Sequence, residues 1–202
     1  MDNSIPQLQK NIWVFCMFFS PLLITIAQFF WRDGMLSATA GTIQVVAFVL
    51  WIIAFQGMFY SIRNDFPQYT IIGFIVAVYA CVAGNNFGVD GIYSDAMGLQ
   101  SLDESKQLIE RIGFPALIYL YIPGIFFPLS LLMIGIQLIR ARKVSMVAGM
   151  VLVIGAVCFP LSRIPRVDWI AHLDNLTLIA GQVLIAKQLF HRKTSKTSWS
   201  AA

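Results

Sequence analysis

Charge is scarce in this sequence. Asp, Glu, Lys and Arg make up 12% of its 202 residues, against 58% hydrophobic, and the mean hydropathy is +0.74. A soluble core of this composition would be left with too little polar surface, so a soluble globular domain is excluded. Histidine is rarer still, with two residues, and there are three cysteines. Cys16, Cys81 and Cys158 all fall within apolar runs. An odd number without ligand spacing gives neither a disulfide framework nor a metal site. Each is expected to pack as a small apolar side chain, with Cys81 and Cys158, at similar depth, the one conceivable redox pair. Glycine-rich phosphate loops, nucleotide fingerprints, zinc-protease helices and nucleophile elbows are all missing. Nucleotide-driven chemistry is thereby excluded, and no metal or cofactor is implied.

What is present is length of apolar sequence. Six runs, at about 12–31, 42–62, 69–84, 114–139, 145–162 and 169–190, approach or reach the ~20 residues a helix needs to cross a bilayer. The expected fold is all-α: a polytopic transmembrane bundle of six helices forming one domain over 1–190, with residues 191–202 a disordered polar tail. Connections are short and charged except the segment 85–113. The first run resembles a signal peptide in having Lys10 before it and Ala38-Thr39-Ala40 after it. It is too long for such a segment, and Phe29-Phe30-Trp31-Arg32 intervenes, so it is read as a retained span. Trp13, Trp31 and Trp169 fall where interface anchors belong.

Orientation follows from the basic residues. With the N-terminus inside, Lys10, Arg63, Arg140, Arg142, Lys143, Lys187, Arg192, Lys193 and Lys196 lie on the inner side, nine of fourteen. Eight of the ten acidic residues fall on the other. Both termini are therefore expected in the cytoplasm of a cell membrane, by size and composition a bacterial inner membrane. The net charge of +4 reflects this insertion and implies no nucleic-acid partner.

The outer segment 85–113 begins with Asn and Gly and reads as a loop over 85–91. Ser101-Leu102-Asp103-Glu104 then has the form of a capping box. Leu108, Ile109 and Ile112 give the helix that follows an apolar edge, and Gly113 and Pro115 close it. A short amphipathic helix on the outer interface is the expectation. The Asp90–Asp95 spacing lacks the ligand pattern of a calcium loop.

Polar residues at membrane depth gather toward the outer side. Residues 176–190 span about 22 Å as a helix, too little to cross, so His172, Asp174 and Asn175 are drawn to the outer boundary or below it. Asp168, His172 and Asn175, at i, i+4 and i+7, share one helix face. Gln28, Gln44, Asn85, Asn86 and Arg163 come to the same level from other spans. Ionisable groups at this depth are costly and ordinarily face a bundle interior or a wet cavity. The expected site is an outward-opening polar pocket around His172 that binds or transports a small or amphipathic ligand. Two other readings stay open: an intramembrane enzyme acting on a lipophilic substrate, with His172 or Asp174 as acid or base, and an accessory subunit bound to a membrane-protein partner. Pro123 and Pro128, with Pro115, mark the fourth run as bent. The likeness of residues 18–23 to 126–131 hints at inverted repeats.

Overall fold

A computed structural model describes residues 5–32, 34–99, 101–164 and 168–190. The tail at 191–202 lies outside them. Among the described residues there are seven helices: α1 Gln7–Gln28, α2 Ala38–Ser61, α3 Pro67–Ala96, α4 Leu102–Ile112, α5 Phe114–Arg140, α6 Met146–Arg163 and α7 Asp168–Phe190. A two-residue hairpin, β1 Trp31–Arg32 against β2 Met35–Leu36, joins α1 to α2. All helices but α4 are long and apolar enough to cross a membrane.

Successive spans are neighbours, and α7 returns to α1, so the six close into a ring. Its interior is filled from α2 and α5: the Phe127 ring packs against Phe48, Trp51, Phe55 and, from α6, Phe159. Outward faces carry Ile71, Ile72 and Ile75 on α3, Ile125 on α5 and Val147 on α6, all exposed. Apolar side chains there suit lipid. The three cysteines are free, with Cys16 and Cys81 buried and Cys158 half-buried.

Two expectations are corrected. The Asn- and Gly-rich stretch after Gly84 is helix, and α3 runs on to Ala96. Its glycines pack instead of turning: a Cβ on Gly88 would lie 2.8 Å from the Gly41 carbonyl oxygen, and one on Gly84 would overlap the Phe48 ring. Small residues four apart let two membrane helices approach this closely. The helix stops at Gly98, φ 71°, with Leu99 N–H bonded to the Ser94 carbonyl. At 30 residues α3 is about 45 Å long, so it projects beyond the hydrocarbon or tilts. Its end caps α2, because Asp95 accepts from Ala38 N–H at 2.6 Å. Trp13, expected at the interface, is buried, its indole N–H donating to Gln56 at 3.2 Å.

Prolines shape α5. The residues Leu117–Tyr121 form a π-helical turn just before Pro123, which has no N–H to offer the Tyr119 carbonyl in α register or the Ile118 carbonyl in π register. Both freed carbonyls are taken from α3: Asn86 donates to Tyr119 at 2.8 Å, and the Tyr79 hydroxyl donates to Ile118. Ser101 caps α4 by accepting from Glu104 N–H at 3.2 Å, and Ile109 packs against Ala116 and Leu120.

Candidate functional site

The ring places the ends of α1 and α6 and the first turns of α7 side by side, at the end of the bundle that also bears α4. Four residues separate Arg163 from the start of α7 at Asp168, so the α6–α7 hairpin brings Ser162 and Arg163 level with Asp174 and Asn175. Arg163 is the hub. One guanidinium N–H donates to Gln28 Oε1, and another donates to Asn175 Oδ1 at 2.8 Å. The same nitrogen stands 3.7 Å from Asp174 Oδ1, an ion pair too long for a hydrogen bond. The guanidinium carbon lies 5.3 Å from the Trp31 ring and 5.2 Å from the Phe159 ring. A planar cation that stacks and forks at once is a role for Arg, not Lys.

Burial decides how much these contacts matter. The Arg163 side chain is 16% exposed and that of Asp174 is fully buried. Ser162 and Asn175 are buried at 1%, Gln28 at 6%. A buried charge that loses its partner is strongly destabilising, so the pair must be kept together. The Ser162 hydroxyl reaches two acceptors, the Phe159 carbonyl at 2.8 Å and Asp174 Oδ2. One hydroxyl proton is thus shared between, or exchanged among, a backbone carbonyl and the buried carboxyl. Two groups keep unused capacity: Asp174 Oδ1 and Asn175 Nδ2 are buried without a hydrogen-bond partner. Further along α7, Gln182 is fully buried, and neither of its amide atoms has a partner. It lies about 12 Å from Asp174 along the helix.

Four of the expected site residues, Gln28, Arg163, Asp174 and Asn175, thus meet. Others stand apart. Gln44 donates to the Gly84 carbonyl at 3.0 Å and Asn86 to Tyr119, so both tie α3 to its neighbours. Asn85 Oδ1 is buried without a partner on that same helix. His172 is exposed, its ring 5.4 Å from that of Phe29. The face of α7 turned to the bundle carries Ala171, Asp174, Asn175 and Leu178, all buried. Asp168 opens α7, its side chain outside the described set. Ser162 and Trp31 complete the cluster, although neither was among the expected site residues. The signal for Ser162 was its place beside Arg163 at a helix end, twelve residues before Asp174; for Trp31 there was none, since its position depends on the hairpin. A cavity of about 310 Å³ opens at this end beside that hairpin, lined by Arg32, Ser37, Ser94 and Asp95, and includes neither Arg163 nor Asp174.

Fold and site together define a class, the six-span helical membrane protein with a buried ionic cluster near one end. No protein family, no curated protein and no solved structure matches the chain.

Proposed function

We propose that the chain binds and moves a small or amphipathic ligand, entering from the α4 side, at the cluster of Arg163, Asp174, Asn175, Gln28 and Ser162. One observation carries this reading: a guanidinium–carboxylate pair packed between two candidate spans, with 16% and 0% of its side chains exposed. Intramembrane ionisable groups of this kind mark ligand and proton pathways. The unused acceptor on Asp174 and the unused amide donor on Asn175 suit a ligand that both donates and accepts a hydrogen bond. Gln182 extends polar capacity toward the middle of the bundle, which favours movement over static binding. The outward direction of the α4 end rests on the basic-residue count. His172, exposed beside Phe29, belongs to the rim on this reading. Acid–base chemistry pairing it with Asp174 draws no support from that placement.

Solutes that raise the unfolding temperature of the protein in nanodiscs test the proposal. For any such solute without an anionic group the stabilisation is expected to vanish in Asp174→Asn and Asn175→Ala, with folded protein retained, and to fall less in His172→Gln. Stabilisation unchanged in the first two variants would remove the cluster from the site. A larger loss in His172→Gln would move the site to the rim.

A further inference from the structure

A second cavity, of about 520 Å³, lies at the opposite end of the bundle, where α1, the α2–α3 turn, the α5–α6 turn and the end of α7 meet. Lys10, Arg63, Arg142 and Lys143 line it, together with Tyr60 and Phe190. Trp13 packs on both of those rings, 5.1 and 5.6 Å between centroids, so an aromatic base lies under the cations. Lys143 is paired with Asp65 at 3.0 Å. Among the described residues no carboxylate pairs with Lys10, Arg63 or Arg142. Among the described residues the cavity therefore carries positive charge that no carboxylate matches.

Insertion topology alone explains basic residues at one end of a bundle. It does not explain the backbone at Arg142. α5 ends in a Schellman turn, with Lys143 N–H bonded to the Leu138 carbonyl at 3.0 Å and Arg142 N–H to the Ile139 carbonyl at 2.9 Å. Such a turn needs one left-handed residue, ordinarily glycine, which has no Cβ to clash. Arg142 fills the position at φ 55°, while every other described residue with positive φ is glycine. Strain held at a residue that also lines a cavity points to a role for the side chain.

We infer that this cavity binds a phosphate group, with Arg142, Arg63 and Lys10 donating charge-assisted hydrogen bonds to its oxygens. An anionic phospholipid headgroup and free phosphate offer the same oxygens, and basic pockets between membrane helices take such headgroups. The test is made on the full chain in phosphatidylcholine nanodiscs, in discs containing phosphatidylglycerol, and in the former with added inorganic phosphate. Unfolding temperature and lipids retained in native mass spectrometry are read in each. Phosphatidylglycerol that stabilises the protein and stays bound assigns the site to a headgroup; stabilisation by inorganic phosphate alone assigns it to a soluble anion. Arg142→Gly relieves the backbone and so keeps the fold, yet it is expected to weaken either binding about tenfold. Lys10→Gln should do the same. Absence of stabilisation by both anions, or stabilisation in both variants as large as in the unaltered chain, would overturn the inference.

Discussion

Arg163 holds the buried polarity of this molecule together, and its energetics set the first prediction. Removing it leaves Asp174 buried with an uncompensated charge, a loss of about 3–5 kcal/mol in comparable pairs. Removing both members with apolar residues of similar volume is far milder. Arg163→Met and Asp174→Leu should therefore each lower stability strongly, and the double variant should recover most of the loss while binding no ligand. Unfolding of the four proteins in one detergent checks this. A double variant less stable than either single would mean that the pair is kept for stability. At this scale the sequence was only partly legible. Depth alone identified Gln28, Arg163, Asp174 and Asn175, because charges and amides so far from water need partners. Which of them touch depended on the register of the α6–α7 hairpin. Counting 100° per residue gives the angle between Asp168, His172 and Asn175, not the direction in which their face points; the bundle lies on the side of Asp174 and Asn175, and His172 is turned out of it.

Among the elements, α5 and α3 depend on each other. Pro123 frees two carbonyls, and Asn86 and Tyr79 take them up. Asn86→Leu leaves the Tyr119 carbonyl unsatisfied in an apolar setting and should cost about 1–3 kcal/mol. Pro123→Ala restores an N–H for that carbonyl, so it should rescue Asn86→Leu while doing little for the wild type. Thermal unfolding of the two single variants and the double variant measures the coupling. Additive losses would show that the two helices meet independently of the proline. An irregular turn in this span was legible from the prolines, whereas the donors across from it were not, since Asn86 sat in a stretch that reads as loop. Glycine has two uses, turning a chain and admitting a neighbouring helix, and composition does not separate them. The spacing Gly84–Gly88 was the available clue to the second.

For the whole molecule, apolar length sufficed: all six spans are helices long enough to cross, because no bilayer-spanning segment can leave its backbone groups unpaired. The closing of the ring by α7 against α1 was invisible in the sequence, since no local pattern encodes a contact between residues 135 apart such as Gln28 and Arg163. That closure is what builds the site, and the central claim is that the site opens on the α4 side. Cysteine accessibility tests it most directly, in a background with Cys16, Cys81 and Cys158 replaced by Ala. Met97→Cys and Asn64→Cys, both exposed and at opposite ends, report the side reached by a membrane-impermeant thiol reagent added to intact cells. Ser162→Cys, nearly isosteric and within the cluster, reports the site. The account predicts labelling at Met97→Cys and, more slowly, at Ser162→Cys, with none at Asn64→Cys. Labelling at Asn64→Cys instead of Met97→Cys, or a Ser162→Cys that reacts only after denaturation, would contradict it.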